Sequence, residues 1–323
     1  MKYLVLGLLL FAFTCGAQAA SFDCKKAQSK IEKAICDNPK ISKLDEELAG
    51  NYQAAKSKLS ADAQKILVTG QRSWVKFLSA SCFTDFQAKP ASKEGAAQCL
   101  DTEYKDRVTD LKSTGSVVGG FKTYHYFEGD FKAYPKEEEI AFNRINVVLI
   151  DDNSDNANAI NAEIKAAAGK AGIEKDSTAA FKSDVSISLT NLSADMILVT
   201  RIESSSGGAH PNDYIGVKYF SKEHKRFLKV GDVFSNSKWK AVAEQIAKKH
   251  FEKEKTMDAV SSLEIAAKEN DVFGFMLSEK GFEVDGFTSY AQRASDGVTM
   301  SWDTFSKFLT PKGKELSLVK PVK

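Results

Sequence analysis

The residues that most often carry chemistry are few in this chain, and their spacing matches no common enzyme signature. Four histidines, His125, His210, His224 and His250, stand far apart, with neither H-E-x-x-H nor any other metal-ligand spacing. There is no G-x-S-x-G nucleophile turn and no G-x-x-x-x-G-K-[ST] phosphate loop. Ser237-Lys238-Trp239-Lys240 has the S-x-x-K spacing of penicillin-binding enzymes without their Ser-Asp-Asn and Lys-Thr-Gly companions, so it reads as a helix start. Asp151, Asn153 and Asp155 open like a calcium loop, but Asn156 replaces the turn glycine and Ala162 the bidentate glutamate, which favours helix capping. Glycoside hydrolysis needs two placed carboxylates, and nothing marks out a pair among the 43 acids. The reading is a non-enzyme with no catalytic residue, no metal and no cofactor.

One stretch stands apart. In Ser204 to Asn212 the core Gly207, Gly208, Ala209, His210 and Pro211 joins two strand-like runs. Paired glycines let a backbone turn sharply or approach a partner, and such loops often carry binding residues. His210 can donate a hydrogen bond or change charge near neutral pH. Alternatively, Gly-Gly makes the turn and His210 packs on it. These five residues are the candidate binding site.

The elements that must position them divide in two. Leu44, Leu48, Tyr52, Ala55 and Leu59 lie on one face of a helix, with Ser42 placed to cap it. Leu67, Trp74, Phe77 and Leu78 repeat the pattern, as do Leu100, Tyr104, Val108 and Leu111, so residues 21–115 are expected to form three or four helices. Gln71, Arg72, Trp74, Tyr104 and Arg107 could recognise a partner, but at helical spacing they also suit a core and its ion pairs. Past Gly115, Ser116, Gly119 and Gly120 the period changes. Runs over 121–131, 145–150, 185–189, 196–203 and 214–220 read as strands, 157–171 and 238–254 as helices, and 273–277 with 282–287 as a hairpin. The expected fold is α+β: a disulfide-bonded helical domain over 21–115, then a mixed domain over 121–318 with a mainly antiparallel sheet.

The start of the chain reads as a secretory signal, with Lys2, an apolar run over 4–13 and Ala17-Gln18-Ala19. Cleavage after Ala19 or Ala20 discards Cys15, and no later run approaches the roughly 20 apolar residues of a membrane span. The expected location is therefore periplasmic or secreted. Cys24, Cys36, Cys82 and Cys99 remain, and an even number in an exported chain argues for two disulfides. A helix from Cys24 to Cys36 would hold them about 18 Å apart, too far to bridge. The capping box Ser29-Lys30-Ile31-Glu32 starts the helix late and lets the preceding segment fold back, which favours Cys24–Cys36 and Cys82–Cys99; bridges crossing between helices stay open. Charge balances, at 45 basic against 43 acidic residues, which speaks against a nucleic-acid partner. Residues 21–115 carry 16 basic and 13 acidic residues and residues 116–323 carry 28 and 30.

Phe22-Asp23-Cys24, Glu32, Ile35-Cys36, Leu44-Asp45, Tyr52, Gln71-Arg72-Ser73-Trp74, Cys82, Cys99-Leu100, Tyr104 and Arg107 together resemble the LprI-type lysozyme inhibitor N-terminal domain. One departure is Leu78-Ser79, where relatives often carry Arg-Asp. The Gly-Gly-Ala-His core, Leu228, Gly231-Asp232-Val233-Phe234 and the run Gly297-Val298-Thr299-Met300 resemble the RsiV-like C-terminal domain, over about residues 130–312. Members of that family occur outside the cytoplasmic membrane, in anti-sigma factors that sense lysozyme and beside peptidoglycan deacetylase domains. The two resemblances imply an exported envelope protein that binds lysozyme or a related muramidase and shields peptidoglycan, itself a possible further ligand. In that reading His210 or a serine hydroxyl meets the enzyme's paired carboxylates. The alternatives are a peptidoglycan-modifying hydrolase and an envelope scaffold without lysozyme contact.

Overall fold

The computed structural model describes residues 20–85, 87–134, 138–169, 182–206, 212–253, 272–286 and 295–319. The expected leader lies outside them. No helix among the described residues is long and apolar enough to cross a membrane.

Four helices open the chain: α1 (Lys30–Asp37), α2 (Pro39–Ser57), α3 (Ala61–Ser81) and α4 (Lys93–Ser113). The capping box forms as read, with Ser29 Oγ accepting from Glu32 N and the Glu32 carboxylate accepting from Ser29 N. Cys24 sits in a separate single turn that folds back to bond Cys36 (Cα–Cα 5.7 Å), and Cys82 bonds Cys99 (5.4 Å). The expected Ser42 cap is wrong: Asn38 caps α2, Pro39 occupies its first position, and buried Ser42 donates to Ile35 O (2.7 Å). A proline just inside a helix costs nothing because its missing N–H would be unpaired there anyway.

A seven-stranded sheet follows in the order β1 (Val117–Val118), β2 (Phe121–Tyr134), β3 (Glu139–Ile150), β4 (Lys182–Asn191), β5 (Met196–Ser206), β6 (Asn212–Ser221) and β7 (Arg226–Phe227). All neighbours are antiparallel except β3 and β4, which helix α5 (Asp155–Gly169) joins as a parallel crossover. Asn161 of α5 clips the end of β3, its amide giving to Ile150 O and taking from Ile150 N at 2.9 Å each. Next come a short turn α6 (Val230–Val233), α7 (Lys238–Lys253) and the three-stranded sheet of β8 (Met276–Ser278), β9 (Gly281–Gly286) and β10 (Ser295–Ser301). The short helices α8 (Trp302–Phe305) and α9 (Pro311–Ser317) end the described chain.

Two apolar cores result. The first joins the helices directly to the large sheet: the Phe77 ring meets Phe127 and Phe142 edge-on (5.6 and 6.2 Å). Glycines permit the approach, since a Cβ at Gly129 would lie 2.6 Å from Phe77 Cβ and one at Gly70 3.1 Å from Phe127 O. Polar ties seal the seam. Asp151 accepts from the Ser60 amide (2.9 Å) and hydroxyl, and Lys122 reaches Lys58 O (3.0 Å). The second core surrounds Phe234, stacked on Trp239 at 4.3 Å, with Phe273, Phe275, Phe282 and Phe305.

That second region is closed by carboxylates. Asp232 takes both Arg226 guanidinium N–H groups (2.6 and 2.8 Å) and Lys229 N (2.7 Å), and the Arg226 bonds hold its pKa below the ordinary 3.8. At Asp195 burial acts upward, but bonds from Glu223 N, Ser221 and Lys312 outweigh it and lower the pKa. A carboxyl with a depressed folded pKa stabilises fully above its unfolded value, and that contribution drains as pH falls through the folded value. The thermal midpoint is therefore expected to drop as pH falls below about 4. Asp232→Asn should flatten this slope in melts followed by circular dichroism. Lys312 binds Asp195 (3.1 Å), Glu223 (3.2 Å) and Glu315 (2.7 Å) and tethers α9 to the β5 and β6 ends. Lys312→Met should cost about 2 kcal/mol at pH 7, measured by urea unfolding, because it leaves three carboxylates facing one another.

Candidate functional site

Of the polar and aromatic residues singled out in the helices, all but one are structural. Trp74 meets Tyr104 edge-on (5.1 Å), and the Tyr104 hydroxyl donates to Asp45 (3.1 Å). Burial and the Asp45 charge both drive the Tyr104 pKa upward. Arg107 is 1% exposed, gives its Nε–H to Gln71 (3.0 Å) and lies 3.9 Å from Asp110. Desolvation pulls its pKa down to about 10, so it is still charged at neutral pH. Arg72 alone faces out, sharing an exposed strip of α3 with Val75, Lys76 and Ser79. The departure at Leu78-Ser79 divides the same way: Leu78 is fully buried and Ser79 exposed.

Gly207, Gly208, Ala209, His210 and Pro211 lie outside the described residues, but the strands leading to them do not. β5 ends at Ser206 and β6 begins at Asn212, so the stretch connects them at one end of the large sheet. Lys182, Asp184, Ser204, Ser205 and Ser206 line a cavity of about 230 Å³ there. The register places Arg144 beside Asp184 and Asp184 beside Ser204. From above, α4 brings Glu103 to 2.9 Å from Arg144 and Asp106 to 3.8 Å. Burial raises the Glu103 pKa, with Arg144 opposing.

Residues paired across strands share a face of the sheet. On the face that carries α3 and α4, Phe127 and Phe142 belong to the first core, and Met196, Val217 and Tyr219 to the second. Between them the same face carries the partly or well exposed Ser186, Ser188, Thr200, Ile202 and Ile215. Ile202 and Ile215 are direct partners, 41% and 47% exposed, and form an apolar spot next to the cavity. On the opposite face Tyr214 is also exposed, with the Arg201 guanidinium over its ring (5.6 Å). Hydroxyls, an apolar spot and balanced charge thus share this end of the sheet.

A Ser, His and Asp grouping does occur, at Ser221, His224 and Asp195, which was not anticipated from the sequence. Its wiring is not that of a nucleophile. The fully buried Ser221 hydroxyl sits between Asp195 (2.8 Å) and His224 Nδ1 (2.9 Å) and accepts from His224 N (3.1 Å), so it locks the turn after β6. Asp151, Asn153 and Asp155 do not converge either: Asp151 is spent on Ser60, and Ser154 caps α5 through Ala157 N (3.4 Å). Among the described residues no group of three potential ligands could hold a metal ion.

Residues 24–111, a little over a quarter of the chain, match the model of the family described as lysozyme inhibitor LprI. The match covers α1 to α4 almost entirely and includes all four bonded cysteines. No curated protein matches the chain. Among solved structures, a member of the DUF3298 family from Bacteroides fragilis is 12% identical with a TM-score of 0.43, covering 62% of this chain and 96% of that one. A DUF3298 family protein from Pseudomonas aeruginosa is 9% identical with a TM-score of 0.40, covering 63% and 98%. Neither likeness is close enough to transfer a fold or a function.

Proposed function

We propose that this is an exported envelope protein that binds lysozyme or a related muramidase, inhibits it and so protects peptidoglycan. The observation that carries the reading is the match of residues 24–111 to the lysozyme inhibitor LprI family, with both disulfides closed. Two disulfides in a chain that opens with a signal-like run suit a periplasmic or secreted location. The RsiV-like resemblance of residues 130–312 adds a second link to lysozyme sensing.

In this reading the exposed strip Arg72, Val75, Lys76 and Ser79 is one contact surface. The sheet end that carries Gly207 to Pro211, with Ile202 and Ile215 beside it, is the other. His210 would supply a hydrogen-bond donor to the paired carboxylates of a muramidase cleft. The test is a cell-lysis assay in which the oxidised protein is titrated against several lysozymes. Loss of lysis at nanomolar protein is expected for at least one, and His210→Ala should weaken it with an unchanged melting temperature. Turnover of muropeptides without any lysozyme would contradict the reading.

A further inference from the structure

A second cavity lies away from the β5–β6 end. It measures about 420 Å³ and lies where the two halves of the protein meet, between Gln87, Ala88, Lys89 and Pro90 on one side and Ala133, Tyr134, Glu138 and Glu139 on the other. That volume falls in the range of about 300–1,000 Å³ typical of small-molecule sites.

Both walls are built rather than loose. The first is a tongue inside the Cys82–Cys99 loop. Asp85 Oδ1 accepts from Gln87 N and Lys89 N (2.9 Å each), Asp85 N returns to Lys89 O (2.9 Å), and Ala91 N reaches Phe83 O (3.1 Å). The second wall comes from the facing ends of β2 and β3. Ala88 and Glu138, one on each wall, hold left-handed φ angles of 54° without being glycine. Tyr134 is 8% exposed, Lys132 lies over its ring (4.7 Å), and its hydroxyl has no hydrogen-bond partner among the described residues. Leaving a buried donor unpaired is unfavourable, and a ligand that accepts from it recovers that loss. Reaching that hydroxyl, which is closed off from water, would require tongue and strands to part.

We propose that this cleft binds a short zwitterionic peptide. Lys89 would hold its carboxylate, Glu138 its ammonium and Tyr134 a backbone carbonyl, while Ala88, Pro90 and Ala133 cover small side chains. A ligand of one charge sign fits less well, because the lining carries both signs, Lys89 on the tongue and Glu138 and Glu139 on the strands.

The test is calorimetric titration of the oxidised full chain with alanyl-alanine, with a soluble disaccharide-tetrapeptide and with a chitin oligosaccharide that lacks any peptide. Binding of either peptide-bearing probe, but not of the oligosaccharide, is expected. A preference between the two separates a free peptide from a cell-wall stem. Lys89→Ala should weaken binding about 10-fold or more. Tyr134→Phe should also weaken it while leaving the melting temperature of the free protein unchanged or raised, since it deletes an unpaired group. Absence of peptide binding at millimolar concentration, equal binding of the oligosaccharide, or unchanged affinity in both variants would overturn the proposal.

Discussion

Gly129→Val is expected to destabilise the protein by about 3 kcal/mol and to lower its thermal midpoint by roughly 5–10 °C. The reason is local and geometric. A Cβ at position 129 lies 2.6 Å from Phe77 Cβ, an atom fixed by the α3 backbone that no rotamer change moves aside. Either α3 withdraws from β2, opening the seam around Phe127 and Phe142, or the strand bends away. Gly50 in α2 is the control, since nothing lies within 4 Å of its would-be Cβ. Gly50→Ala should be neutral or stabilise by up to about 1 kcal/mol, because alanine is the better helix former. Differential scanning calorimetry of both variants measures the contrast; equal behaviour would mean that helices and sheet do not share a core.

Loss of the Cys82–Cys99 bridge carries the second large effect. Closing a loop of 17 residues restrains the unfolded chain by about 3 kcal/mol in the loop-entropy account. Cys82 is also buried at 2% exposure, so replacing both cysteines by serine adds the cost of placing a hydroxyl among apolar neighbours. The Cys24–Cys36 bridge closes a comparable loop, but Cys24 is exposed, so its double-serine variant should lose less. Urea unfolding with and without reductant should rank oxidised wild type first, the Cys24/Cys36 variant next and the Cys82/Cys99 variant last. The Cys82/Cys99 variant should also become sensitive to proteolysis over residues 85–92, since the bridge anchors the tongue.

Sequence reading recovered elements where one period dominates. The five strand runs and, as far as they are described, the helices at 157–171 and 238–254 fall on observed elements; the hairpin forms between Met276–Ser278 and Gly281–Gly286, its first strand starting three residues later than read, and the fold class is α+β as expected. Both cysteine pairs followed from a capping box, whose hydrogen bonds are local. What escaped depends on partners distant in the chain. Gly70 reads as a flaw in a helix until β2 lies across it, and Gly129 as a weak point in a strand until Phe77 arrives. The parallel β3–β4 pair, which needs only one crossover helix, left no mark on either strand's pattern. Ser42 looked like a cap because Ser precedes an amphipathic run, yet the more local Asn38-Pro39 signal won. Asp195, Ser221 and His224 meet only because β5 and β6 pair in register. The proposed loop at Gly207 to Pro211 was conspicuous through its glycines alone, and the cavity beside Tyr134 was not legible, since its walls come from segments more than 40 positions apart.

The most direct test of the proposed role is the mass of the particle formed when the oxidised protein, produced without residues 1–20, is mixed with a susceptible lysozyme and followed by light scattering after gel filtration. A one-to-one complex, stable at physiological salt and devoid of muramidase activity, is the predicted result. Two separate peaks with full lysozyme activity, across a panel of muramidases, would contradict the account.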